Sequence, residues 1–228
     1  MPQSLVQVSL AKDWRQATRR WPGNTALALL ANTIATGAAL VALILTFGPI
    51  SGAHFNPAVT MADAWLGGTP WRAVPACIGA QVIGAFIGVG LANLMFGAPV
   101  FFASQHIRAG GAQLLGEFIA TFGLLAVIRG CAARRPAAVP FAVAAFITGA
   151  YWFTSSTSFA NPAVTMARAA SDTFAGIRPM DVPGFIVAQI LGAAAATAVF
   201  GWLVPAMPKA DPHPADLPAE SRGEEVYR

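Results

Sequence analysis

The heptapeptide Asn-Pro-Ala-Val-Thr-Met-Ala occurs twice in this chain, at residues 56–62 and 161–167, an offset of 105 residues. A single Asn-Pro pair is an ordinary turn or helix start. Two copies with the same flanks require a duplication, and a second stretch agrees with it. Val74-Pro75, Ala80-Gln81 and Gly84-Ala85 recur as Val182-Pro183, Ala188-Gln189 and Gly192-Ala193, at an offset of 108. The chain is therefore two related halves with a small insertion in the second.

What surrounds the repeats decides the solvent. Hydrophobic residues make up 56% of the 228 positions and charged residues 11%, with a positive mean hydropathy, which is too apolar for an ordinary soluble domain. Five stretches reach the roughly 20 apolar residues that a bilayer core requires: about Thr25–Phe47, Ala73–Phe96, Ala112–Ala132, Ala138–Phe153 with its Ser/Thr continuation, and Val182–Val204. The sequence thus predicts an all-α, multi-pass membrane protein. Gly84-x-x-x-Gly88 and the run Gly192 to Ala196 supply small faces where helices in lipid approach closely. The net charge of +4 clusters at Lys12 to Arg20, at Arg129 to Arg135 and in the tail. That pattern reads as membrane-flanking charge, with no aromatic-interleaved basic surface for nucleic acid. Cys77 and Cys131 lie in or beside apolar segments and read as free buried thiols. No nucleophile–base set and no metal-ligand cluster stands out, so neither an enzyme nor a cofactor is expected.

Between the first two spans lies Ser51–Gly68, and between the last two Thr154–Pro179; each holds one Asn-Pro-Ala followed by a short apolar segment. Roughly 10 helical residues reach only half-way across a bilayer. Irregular backbone at that depth must be buried in protein or line a water-filled cavity. Three spans separate the loops, an odd number, so they enter from opposite faces and meet near the midplane as an inverted repeat. The expected organisation is a polar segment over 1–23, a channel-like domain over 24–204 with repeats about 24–97 and 112–204, and a disordered Pro-rich tail over 205–228. Met1 to Gly23 has neither an apolar core nor a small-residue cleavage site, so no signal peptide is expected there.

Pro57 and Pro162 suit the first helical position, which puts Asn56 and Asn161 at the N-caps. Each Asn carbonyl can accept from its own half-helix, leaving the amide N–H2 as a donor toward a cavity. Ala58 and Ala163 are small enough to let the turns touch. Two helix N-termini converging on one point oppose any cation there, while a water or hydroxylic solute can offer its oxygen.

These residues resemble the aquaporin, or major intrinsic protein, family: Ser51-Gly52-Ala53-His54-Phe55-Asn56-Pro57-Ala58-Val59-Thr60 is similar to its first signature, and Ser158-Phe159-Ala160-Asn161-Pro162-Ala163 to its second. The likeness runs from Asn24 to Val204. It implies a homotetramer in a bacterial cytoplasmic membrane, with one pore per subunit passing water and small uncharged solutes. Gly116-Glu117-Phe118 resembles a further family feature, with Glu117 buried as a hydrogen-bond support for the second loop rather than a proton relay. Counting from the signatures carries the four residues of the family's outer constriction onto Thr36, Gly149, Ser158 and Val164. Water-selective members have an aromatic, a histidine and an arginine there. Val164 stands in the place of that arginine, so a wider, uncharged filter is expected. Arg168, one turn further along, reads as a solvated or helix-capping charge. With Leu29-Leu30-Ala31-Asn32-Thr33, this filter is similar to the bacterial branch associated with arsenic resistance, which implies neutral solutes such as arsenite, methylated arsenicals or glycerol.

The amino end departs from the family. Glu117 precedes Asn161 by 44 residues, and the same step back from Asn56 falls on Lys12, in a polar stretch too charged to span a membrane. The resemblance implies a first helix that this stretch does not supply, through a shifted reading frame or displaced start, or as a real short form. Lys12, Arg15, Arg19 and Arg20 also conflict with the orientation the next span needs. The expectation is that the chain as written inserts poorly and conducts weakly, and that an apolar helix before Asn24 restores a tetrameric channel. A non-conducting remnant that acts through assembly is the competing reading. Proton-coupled transport is disfavoured, because Glu117 is the only internal titratable group expected.

Overall fold

The computed structural model describes residues 25–204. The expectations for segments 1–23 and 205–228 lie outside the described residues. Seven α-helices follow in order: α1 (Thr25–Ser51), α2 (Pro57–Trp65), α3 (Val74–Met95), α4 (Gly111–Arg134), α5 (Val139–Phe153), α6 (Pro162–Arg168) and α7 (Val182–Leu203). Short 3-10 turns, Pro136–Ala138 and Pro179–Asp181, lead into α5 and α7. Among the described residues, α1, α3, α4, α5 and α7, the last two with their leading turns, are long and apolar enough to cross a membrane. Their outward faces carry Ile83, Ile87, Leu91, Leu115 and Trp202 in the open, as the lipid-facing side of a bundle does.

The apolar stretches match these helices closely, with one extension. The first span runs on through Gly48 and Pro49 to Ser51, so it delivers the chain directly into the first loop. The short helices α2 and α6 are of 9 and 7 residues, about 10–14 Å at the usual rise.

Small residues set how closely the long helices pack. A Cβ on Gly192 of α7 would collide with the backbone carbonyl of Phe118 on α4, and one on Gly37 of α1 with the Thr148 hydroxyl on α5. The α4–α7 and α1–α5 pairs are the most extensive in the bundle. The main core joins Leu40, Ala58, Val59, Ala62, Ala120, Leu124, Val143, Ile147, Tyr151, Ala193 and Ala196, and α2 packs mainly against α3 and α7. On the other side Ala163 and Ala167 of α6 pack on Ala85, Val89 and Ala92 of α3. Ala58, Thr60, Ala62 and Ala64 of α2 and Ala163, Val164 and Ala167 of α6 are buried, while Trp65 at the end of α2 is exposed.

The insertion in the second half lies between α6 and α7. There the segment before α4 docks: Phe102 N–H donates to Ala170 O at 3.0 Å, Ser104 N–H to Ala169 O at 2.9 Å, and Arg178 N–H to His106 O at 2.8 Å. The added residues form the shelf on which this connection lies.

Candidate functional site: the paired re-entrant turns

The duplication reaches the backbone torsions. Asn56 (φ −152°, ψ 119°) and Asn161 (φ −157°, ψ 111°) both leave the helical region as N-caps, each followed by Pro at the first helical position. Asn56 Oδ1 accepts from Ala58 N–H at 2.9 Å, and Asn161 Oδ1 from Ala163 N–H at 3.0 Å and Val164 N–H at 3.3 Å. Upstream, Gly52, Ala53 and Phe55 have φ of 74°, 48° and 48°, and Thr157, Ser158 and Ala160 have 58°, 48° and 47°. These are the same three positions of each repeat. Left-handed backbone at a non-Gly residue costs about 1–2 kcal/mol, and five such residues stand in two short loops. Strain repeated in this way persists only where the surrounding contacts hold it.

Those contacts cross between the loops. Asn56 Nδ2 donates to the carbonyl of Ala160 at 2.7 Å, and Asn161 Nδ2 donates to the carbonyl of Phe55 at 2.8 Å. The turns are stitched back to back in the interior. One hydrogen of each amide is therefore committed to the opposite loop, so the expectation that the whole N–H2 faces the cavity needs correction. Both Asn side chains nonetheless line a cavity of about 80 Å³, with His54, Ser158, Phe159 and Ala160 around it and Ile44, Leu124, Ile128, Val139, Val143 and Ile147 as its apolar wall.

A second layer fixes each turn. Thr60 Oγ1 donates to Asn56 O at 3.2 Å and receives Gln81 Nε2 at 2.9 Å; Thr165 Oγ1 donates to Asn161 O at 2.8 Å and receives Gln189 Nε2 at 2.8 Å. The second half adds a carboxylate. Glu117, fully buried on α4, accepts Phe159 N–H and Ala160 N–H at 2.8 Å each and Gln189 Nε2 at 2.6 Å. Three donors thus converge on its two oxygens. In the first half His54 is beside Thr60, with Nδ1 at 3.3 Å from Oγ1, and Gln81 borders an open groove of about 300 Å³ with Ser51, Phe55, Cys77 and Ala80.

Of the four constriction candidates only Ser158 lines the cavity at the Asn pair. Thr36 and Val164 are buried, and Gly149 is half-buried on α5. Arg168 differs from its sequence reading. It is 1% exposed, its Cζ lies 4.0 Å from the Phe159 ring centroid, and its Nη2 donates to Tyr151 Oη at 3.2 Å. A solvated charge it is not, because the apolar sides of α5 and the second loop close over it. The interior consequently holds more titratable groups than Glu117, since Arg108, Tyr151 and Arg168 are buried too.

Arg108 was invisible as a site residue in the sequence. Its Nε donates to Gly176 O at 2.8 Å, Nη1 to Ser156 O at 2.9 Å and Thr157 Oγ1 at 3.3 Å, and Nη2 to Phe174 O at 3.0 Å. Its Cζ is 4.8 Å from the ring centroid of Phe159, so one ring stands beside two guanidinium groups. Burial, and then repulsion from Arg168, bring the Arg108 pKa down to about 10, which leaves it charged at neutral pH. The side chain clasps the approach to Asn161 to the shelf beyond α6.

With this geometry in view, the comparisons with known proteins are decisive. The family described as Major intrinsic protein matches residues 4–152. The chain belongs to the major intrinsic protein family. The match begins ahead of Asn24 and so takes in the polar Lys12–Arg20 segment, which the signature-based resemblance had set aside. Over 184 residues the chain is 53% identical to "Aquaglyceroporin AqpS" of Rhizobium meliloti (strain 1021), covering 80% of this chain and 79% of that protein. It is 45% identical over 101 residues to "Aquaporin NIP1-1" of Oryza sativa subsp. japonica, 43% of this chain and 36% of the relative. It is 36% identical over 115 residues to "Probable glycerol uptake facilitator protein" of Thermotoga maritima, 45% of this chain and 49% of the relative. Major intrinsic proteins are passive membrane channels, not enzymes, and this one is a multi-pass integral membrane protein.

Proposed function

We propose that the chain is a passive channel for water and small uncharged solutes of the glycerol or arsenite kind, with its path running past Asn56 and Asn161. The observation that carries the reading is the reciprocal pair of Asn-to-carbonyl hydrogen bonds beside a cavity that both Asn side chains line. Two capped N-termini, α2 and α6, meet there, so a cation that sheds its water meets positive helix ends, while a neutral hydroxyl exchanges one set of hydrogen bonds for another. Glu117 serves as a brace for the second turn. The filter positions Thr36, Gly149, Ser158 and Val164 bring no arginine, histidine or aromatic ring of their own, which favours solutes bulkier than water. The names of the bacterial relatives, an aquaglyceroporin and a probable glycerol uptake facilitator, support that solute class. A homotetramer in the bacterial cytoplasmic membrane is the assembly proposed. Stopped-flow light scattering on proteoliposomes tests it: glycerol and water permeability should exceed those of protein-free vesicles, and both should fall in Asn56→Ala and Asn161→Ala.

One observation favours the competing reading of a non-conducting subunit that works through assembly. Gln189 is fully buried under α4, whereas its repeat mate Gln81 borders an open groove beside the first turn. Irregular backbone at membrane depth requires cover, and vesicles that hold the folded protein yet show only background permeability would favour this second reading.

A further inference from the structure

Val164 and Arg168 are one turn apart on α6, and the two positions share a helix face. Side chains on a helix lean toward its N-terminus, so a long residue covers the turn before its own Cα. The contacts of Arg168 follow this direction. Its guanidinium lies over Phe159, which precedes the N-cap Asn161, and it donates to Tyr151 Oη. Tyr151 Oη is in turn 3.5 Å from Thr36 Oγ1 on α1. The head group has thus come back toward the N-terminal end of α6, where Tyr151 links it to the hydroxyl of Thr36, although its Cα stands a turn beyond Val164.

We propose that Arg168 is a specificity-determining residue of this pore: it supplies from position 168 the fixed cation that position 164 lacks, with Tyr151 and Phe159 as the residues that aim it. The inference deepens the channel reading and rests on it. Four filter positions without charge then do not make an uncharged constriction. The guanidinium opposes hydronium and metal cations, and the line of polar groups it forms with Tyr151 Oη and, beyond it, Thr36 Oγ1 suits a neutral solute with several hydroxyl oxygens. Phe159 holds the group by its ring face. Arg108, on the same ring, has its donors committed to Gly176, Ser156, Thr157 and Phe174 and serves as the anchor of the loop.

The test compares Arg168→Gln, Arg168→Lys and the relocation double variant Val164→Arg with Arg168→Val, all in the full chain reconstituted at equal density. Proton leak under a pH gradient and the glycerol-to-water permeability ratio are the readouts, because a merely structural role would lower all fluxes together. Loss of one charged donor is worth about tenfold or more. Arg168→Gln should therefore raise proton leak relative to water flux by about tenfold, while Arg168→Lys and the relocation variant hold it near the unmodified value. Should Arg168→Gln fail to fold, Tyr151→Phe should shift the glycerol-to-water ratio in its place. An unmodified chain that conducts, with variants that leave both ratios unchanged, overturns this inference alone. An unmodified chain that passes neither solute overturns the channel reading and the inference together.

Discussion

The carboxylate of Glu117 accepts the backbone N–H of Ala160 at 2.8 Å, and Ala160 O is the atom to which Asn56 of the other repeat donates. A residue on α4 therefore steadies the first turn through the second. Glu117→Gln puts an amide donor where Phe159 N–H, Ala160 N–H and Gln189 Nε2 already point inward. A buried donor left without its acceptor costs about 1–3 kcal/mol. Thermal unfolding in detergent should show a marked loss of stability, and a variant as stable as the parent would remove Glu117 from the brace.

Asn161→Ala removes the acceptor for Ala163 and Val164 N–H and the donor to Phe55 O. A lost N-cap costs about 1 kcal/mol and an unsatisfied buried carbonyl about 1–3 kcal/mol. Asn161→Asp keeps the cap acceptor but loses the cross-loop donor and adds negative charge. The expected order of water permeability is parent, then either variant far below it, with Asn161→Asp alone gaining cation leak in a conductance assay.

Much of this was legible in the sequence, and particular residues explain what was not. The heptapeptide announced the paired Asn caps, because helix caps are local and identical sequence makes identical caps. The Gln81 and Gln189 pair was visible as a repeat, yet its bonds to Thr60 and Thr165 depend on how α3 and α7 pack. Arg108 comes from a connection with no motif at all, and its side-chain partners lie 48 to 68 positions away. Arg168 looked solvent-bound because charge at a helix end usually is. Its burial follows from Phe159 and Tyr151, which only the tertiary fold brings beside it.

Gly192→Val tests the packing of the two most closely joined helices. The added side chain meets the Phe118 carbonyl, a backbone atom that cannot rotate away. Overpacking of this kind costs about 1–3 kcal/mol, and α4 carries Glu117, so displacement reaches the turns. The yield of monodisperse protein in detergent should fall, with Gly192→Ala less affected; unchanged yield for Val would contradict this helix approach.

Val164→Arg adds a second guanidinium on the face where Arg168 folds back. It should suppress glycerol or arsenite flux much more than water flux, because side-chain volume enters the constriction while the smallest solute still fits. Equal loss of all fluxes, or no change, would count against Val164 lining the path. The measurement is paired uptake of glycerol and water in the same vesicle preparation.

The central claim is that small neutral molecules cross between Asn56 and Asn161. Its most direct test is stopped-flow glycerol permeability of the reconstituted full chain beside Asn56→Ala/Asn161→Ala at matched protein density. The account predicts glycerol entry well above protein-free vesicles for the parent and close to them for the double variant; entry that is the same in both would contradict it.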